Sequence, residues 1–129
     1  MRVVMEHEQA QGRKVYDVHE KNLGYDVTSL DLNSGELRLI EIKGLARATG
    51  TILLTPNERR VAEDRRDCYW LYVVTNCGSE PTLQEPIRDP AQFPWHEVTK
   101  VAHYWLEVNA MTKPMMVRED APPYGGKRS

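Results

Sequence analysis

Several absences narrow the reading of this 129-residue chain before any motif is considered. Cysteine is scarce, and Cys68 and Cys77 make neither a disulfide framework nor a metal pattern. A reduced, cytoplasmic setting is therefore the expectation. No apolar run approaches the roughly 20 residues that cross a bilayer, and the opening MRVVMEHEQAQ lacks the apolar stretch of a signal peptide. A membrane is not an expected partner. Excess positive charge is missing too: 17 Lys and Arg stand against 19 Asp and Glu, a formal net charge of −2, with a pI near 6.1. Domains that hold nucleic acid by bulk electrostatics are usually basic. That mode is disfavoured, while local phosphate contacts remain open. A nucleic-acid enzyme with this balance would need a tethered partner to supply affinity. The sequence shows no internal repeat and no low-complexity block.

What is there reads as one domain with an ordinary core: 40% of residues are hydrophobic and 28% charged. Residues 3–11 suit a helix stopped by Gly12, with Val4 and Glu8 on one face. GYDVTSLD (24–31) and ELRLIEIKG (36–44) read as strands around the turn signal LNSG, and TGTILLT (49–55) as a third strand. In TPNERRVAEDRRD, Thr55 suits the N-cap, Pro56 the first helical position, and Glu58 closes a capping box. CYWLYVVTN (68–76) is nearly continuous apolar, as in a strand covered on both faces. Following a helix, it could return parallel to its predecessor. Residues 78–97 read as loop, 97–108 as an edge strand or strand pair, and 111–129 as a tail with little to pack. The expected domain spans 1–110 in the order helix, three strands, helix, strand.

LRLIEIKG (37–44) poses the functional question, because Glu41 and Lys43 interrupt an apolar strand. Period-two alternation puts Leu37, Leu39, Glu41 and Lys43 on one side and Arg38, Ile40 and Ile42 on the other. A hairpin symmetric about Asn33-Ser34 pairs Leu30 with Leu37, Thr28 with Leu39, and Asp26 with Glu41. The last pair brings two carboxylates about 5 Å apart at Cβ. Such a pair is relieved by a shared proton, by a cation such as Lys43, or by a metal. Mg²⁺ suits the place, because it takes oxygen from one or two carboxylates and keeps its waters. A salt-bridged strand end explains the same residues without function.

The arrangement D-(x)14-E-x-K across a hairpin resembles the PD-(D/E)XK nuclease superfamily, the restriction-endonuclease-like fold. VVMEHEQAQGR, LGYDVTSLD, RLIEIKG, ILLTPNE and YWLYVVTNC resemble the NO VEIN C-terminal domain, a domain of unknown function found in large helicase-like or ATPase proteins. The resemblance implies an α/β (α+β) fold: a mixed sheet flanked by helices around a restriction-endonuclease-like core. It implies Asp26 and Glu41 as ligands of Mg²⁺ or Mn²⁺, Lys43 as the catalytic lysine, and Glu8 as a helical acid approaching the same site. Tyr25 stands where the motif has its Pro. The first helix looks short for the family, as in a module cut from a longer protein.

The implied activity is metal-dependent hydrolysis of phosphodiester bonds in DNA, within a larger helicase- or ATPase-associated system. The alternatives are a non-catalytic module binding nucleic acid or protein, and a structural domain in which the three residues form an ion-pair network. For Glu8, a solvated flank remains open beside the inward role. Glu58 is accounted for by capping. Arg59, Arg60, Arg65 and Arg66 read as a solvated helix face, and Arg47 is better placed to meet a phosphate. The four histidines show no zinc spacing, and neither cysteine has a paired base.

Overall fold

The computed structural model describes residues 1–105. Its compact unit is Met1–His96, a mixed α+β fold with a six-stranded sheet. α1 (Arg2–Ala10) leads into β1 (Arg13–Asp17), then β2 (Val27–Asp31) and β3 (Leu37–Gly44). α2 (Pro56–Arg65) connects to β4 (Tyr69–Thr75), and two short strands, β5 (Thr82–Leu83) and β6 (Ile87–Arg88), complete it. β1, β2 and β3 form an antiparallel meander, β4 returns parallel to β3, and β5 and β6 both pair antiparallel with β4. The parallel return across α2 is the expected one.

The β2–β3 register is that of the symmetric hairpin: Val27 faces Ile40, Thr28 faces Leu39, Ser29 faces Arg38, and Leu30 faces Leu37. The turn is held locally. Asp31 Oδ1 accepts from the Asn33 and Ser34 N–H groups, and Gly35 adopts φ +79°, a left-handed conformation that glycine enters without penalty. One step beyond Val27 the ladder changes. The Asp26 N–H donates to the Ile40 carbonyl at 2.8 Å, so Asp26 and Glu41 are not a regular cross-strand pair.

The sheet has two differently packed faces, as the period-two alternation requires. Val4 of α1 packs with Val27, Ile40, Tyr72 and Val74 on one face. Leu39 and Tyr69 pack with Ala62 of α2 on the other. The capping box at α2 forms as the sequence suggests: Thr55 Oγ1 accepts from the Glu58 N–H at 3.1 Å, and Glu58 Oε1 accepts from the Thr55 N–H at 2.9 Å. α2 approaches the β1–β2 connection closely at Gly24. There φ is +90°, and an added Cβ would lie 2.6 Å from Val61 Cγ2. Only glycine fits.

Three expectations are corrected. Residues 78–97, read as loop, carry the short strands β5 and β6 paired with β4. Residues 49–55 form no strand; they belong to the irregular link from β3 to α2. Both edges of β3 are already taken, by β2 and β4, and β2 is closed off by β1. An apolar segment has no ladder to join there. The third strand of the meander is instead β1, whose polar sequence RKVYD gives little strand signal because it lies at the sheet edge with most of its side chains outward. Residues 97–105 of the expected edge strand carry no helix or strand. Its last residues, 106–108, and the expected tail from 111 lie outside the described residues. Among the described residues, no helix is long and apolar enough to cross a membrane.

Candidate active site

Four ionisable side chains meet on the α2 face where β3 ends. β3 supplies Glu41 and Lys43, two residues apart and therefore on one side. The segment entering β2 supplies Asp26, and the first turn of α2 supplies Glu58. Asp26 is fixed by backbone as well as side chain: its carbonyl accepts from the Val18 N–H at 2.9 Å, and its Oδ2 accepts from the Ile42 N–H at 2.9 Å. Its carboxylate thus lies against β3 even though the ladder has lost its register.

Glu41 is the unusual member. It is 2% exposed. Its Oε2 lies 3.3 Å from Lys43 Nζ; its Oε1 is buried and accepts from no donor among the described residues, while the protonated carboxyl hydrogen-bonds to Glu58. Burial first, then repulsion from Asp26 and Glu58, pushes its pKa up to about 8 against the partial relief of Lys43. At neutral pH and without a further cation, Glu41 holds a proton. Lys43 turns chiefly to Glu58, whose Oε1 receives its ammonium at 2.9 Å. Burial alone would lower the lysine's pKa, but the bond from Glu58 and the charge of Glu41 more than offset it, and the net shift is upward. Glu58 moves the opposite way. Burial would raise it, yet the Thr55 backbone bond and Lys43 hold it below its ordinary value.

Sequence reasoning assigned Glu58 to capping and missed its contact with Lys43. One carboxylate oxygen serves both tasks, accepting from Thr55 N–H and Lys43 Nζ. A capping-box glutamate on the helix just after an E-x-K strand was the available signal.

Glu8 is elsewhere. It points inward as expected and is fully buried, but on the α1 face. Its Oε1 accepts from Arg13 Nη1 at 3.0 Å and Ser29 Oγ at 2.9 Å, and its Oε2 from Tyr72 OH at 2.6 Å. None of these partners belongs to the Asp26–Glu41–Lys43 group, and the structure does not bring Glu8 to it. The physical reason is that α1 and α2 cover opposite faces of one sheet. Arg47 is exposed on the loop following β3, where its carbonyl accepts from the Asn76 N–H. The thiols of Cys68 and Cys77 are free.

No three His, Cys, Asp or Glu side chains among the described residues converge to hold a metal ion. The donors are Asp26 and Glu41, with one Glu41 oxygen unbonded. That set does not suit an all-protein cage. It does fit a hard divalent cation that takes one or two carboxylates and keeps several waters, as Mg²⁺ does.

This hairpin-and-helix group lies wholly within residues 1–86, the span matched by the family model described as Protein NO VEIN, C-terminal. The chain belongs to the NO VEIN C-terminal family. Its family-matched span runs from α1 through β5 and includes Asp26, Glu41, Lys43 and Glu58, whereas β6 falls outside it. No curated protein and no solved structure matches the chain.

Proposed function

We propose that this NO VEIN C-terminal domain is a metal-dependent nuclease of the PD-(D/E)XK kind, hydrolysing phosphodiester bonds in DNA at the α2 face. The observation that carries the reading is Glu41. It is a buried carboxyl with one unbonded oxygen, beside Asp26 and within ion-pair distance of Lys43. A strand end meant only for stability would leave neither an oxygen unpaired nor a carboxyl pushed so far up, since both cost free energy.

In this reading Asp26 and Glu41 would hold Mg²⁺ or Mn²⁺, with the Glu41 proton released to solvent. The ion supplies polarisation of the scissile phosphate and a lowered pKa for the attacking water. Lys43, held by Glu58 at 2.9 Å, orients that water and offsets charge growing on the phosphorane. Arg47, exposed beyond the end of β3, meets a neighbouring phosphate of the strand. The net charge of −2 favours action within a helicase- or ATPase-associated system, which would concentrate the DNA.

Two measurements test this. Calorimetry with Mn²⁺ should show binding to the wild type that is lost in Asp26→Asn. A cleavage assay at low salt should show activity lost in Lys43→Ala, with metal binding intact, as for a group used only in the transition state. Cleavage that persists in Lys43→Ala and Glu41→Gln would reject the site. A second reading, a non-catalytic binding module of the same fold, is favoured by the acidic balance. Metal binding without cleavage in any protein would select it.

A further inference from the structure

The opposite face of the sheet carries a separate cluster that the proposed nuclease chemistry does not use. Arg13 of β1, Arg38 of β3 and Trp70 of β4 each bury a nitrogen donor that has no hydrogen-bond partner among the described residues: Arg13 Nε, Arg38 Nε and Trp70 Nε1. The three belong to one connected group. Arg13 Nη1 donates to Glu8, Tyr72 OH donates to the other oxygen of Glu8, and Arg38 Nη1 donates to Tyr72 OH at 2.8 Å. The Arg38 guanidinium lies 3.7 Å from the centroid of the Trp70 ring, in stacking contact. Arg88 faces Trp70 across the β4–β6 ladder and is exposed.

A buried donor left without an acceptor carries its full desolvation cost, and folded proteins hold few of them. Three in one connected cluster, two of them on guanidiniums, make an acceptor from outside the chain favourable. The nearby carboxylates do not supply it. Glu8 already has Arg13, Ser29 and Tyr72 as donors, and Asp31, which faces Arg13, is engaged by the Asn33 and Ser34 N–H groups. Glu36, exposed, forms an ion pair with Arg38 Nε at 3.7 Å, a separation beyond hydrogen-bond length. About an eighth of each arginine side chain reaches the surface, 13% for Arg13 and 12% for Arg38, while the unpaired nitrogens themselves lie just beneath it.

We propose that Arg13, Arg38 and Trp70 form a binding site for a phosphate-type oxyanion on the α1 face, distinct from the Asp26–Glu41 group. The donors come from three strands, β1, β3 and β4, two of them are guanidinium nitrogens, and guanidinium is the side chain that best matches phosphate. A free phosphate and a nucleic-acid backbone phosphate present the same chemistry of recognition.

The test titrates inorganic phosphate into the full chain in the presence of EDTA and follows the indole N–H resonances by NMR. The Trp70 signal is identified as the one missing from Trp70→Phe. It should move and saturate with phosphate. Arg38→Lys, which keeps the charge but loses the fork, should bind about tenfold more weakly, the loss expected for one charge-assisted hydrogen bond. Glu36→Gln, which removes the competing carboxylate, should bind more tightly and serves if Arg38→Lys fails to fold. Lys43→Ala should bind as the wild type does, which separates this site from the proposed nuclease site. A short single-stranded oligonucleotide that moves the same resonance at lower concentration, with affinity falling as salt rises, would assign the phosphate to a nucleic-acid backbone. Saturation by inorganic phosphate alone would assign a free oxyanion. A Trp70 signal that does not move, equal saturation by acetate, or unchanged affinity in both Arg38→Lys and Glu36→Gln would overturn the proposal.

Discussion

Each face of the sheet buries one glutamate, and the two are treated in opposite ways. Glu8, under α1, has both oxygens occupied by donors from Arg13, Ser29 and Tyr72. Glu41, under α2, has one oxygen without a partner, a shared lysine, and two further acids beside it. Burial is nearly the same, 0% and 2% exposed, so burial does not separate them. The difference is in compensation. A buried charge that is fully paired holds structure together, whereas one left short of donors is poised to bind something or to keep a proton.

The sharpest way to break this comparison is to neutralise each acid by its amide. Glu8→Gln would leave Arg13 as an uncompensated, mostly buried cation and place an amide nitrogen against the donors of Ser29 or Tyr72. A loss of about 3–5 kcal/mol is expected, read as a fall in the urea midpoint with unchanged slope. Glu41→Gln mimics the protonated carboxyl that the site already favours, without having to hold a proton that the unfolded chain releases, so near pH 7 it should be more stable than wild type, by a few kcal/mol at most. Equal losses in the two variants would erase the distinction.

The next effect is on pH. The Glu41 carboxyl ordinarily titrates near 4.5 but is pushed up to about 8 in the folded protein. Between those values the native state holds a proton that the unfolded chain has released. Its contribution to stability is therefore complete below about pH 4.5 and declines as pH rises towards 8, by at most about 1.4 kcal/mol per unit. Glu58, held below its ordinary value, works the other way: its contribution is present above that value and is lost only in acid. The difference in unfolding free energy between wild type and Glu41→Gln should thus shift in favour of the variant from about pH 6 to about pH 8. A flat difference curve would mean that Glu41 is not protonated in the native state.

Smaller still is the response to a cation. If Mg²⁺ binds only the folded protein, a hundredfold excess over its Kd adds about 2.7 kcal/mol. At concentrations only a few times Kd, the rise is closer to 1 kcal/mol. It should appear as a higher melting temperature in the wild type, be absent from Asp26→Asn and Glu41→Gln, and strengthen from pH 6 to pH 8 as Glu41 loses its proton more readily. Equal shifts in all three proteins would place the ion elsewhere.

The smallest expected change separates the two tasks of Glu58. Thr55→Ala removes the hydroxyl that accepts from the Glu58 N–H and should cost about 1 kcal/mol, as N-cap losses do. It leaves the carboxylate that holds Lys43. The proposed cleavage activity should survive Thr55→Ala and fall in Glu58→Ala. Parallel loss in both would reduce Glu58 to its capping role.

Much of this was legible in the chain itself, and the parts that were not share a cause. The β2–β3 register followed from period two and a turn whose Asp31, Asn33, Ser34 and Gly35 fix it within a few residues. The capping box at Thr55 and Glu58 is likewise complete within four residues. Those interactions are local, so a short stretch of sequence contains all the atoms that decide them. Tertiary structure alone decided the rest. Residues 49–55 have a strand's composition but reach a β3 already paired on both sides. RKVYD has little strand character but finds the open edge of β2. Val4 and Glu8 show that α1 has an inward face, but not which side of the sheet that face covers. Glu58 and Lys43 are 15 residues apart in the chain and meet only because α2 crosses over to make β4 parallel to β3. Whether a ladder has a free edge, and whether a buried charge finds its partners, depends on groups distant in sequence, and no local pattern encodes them.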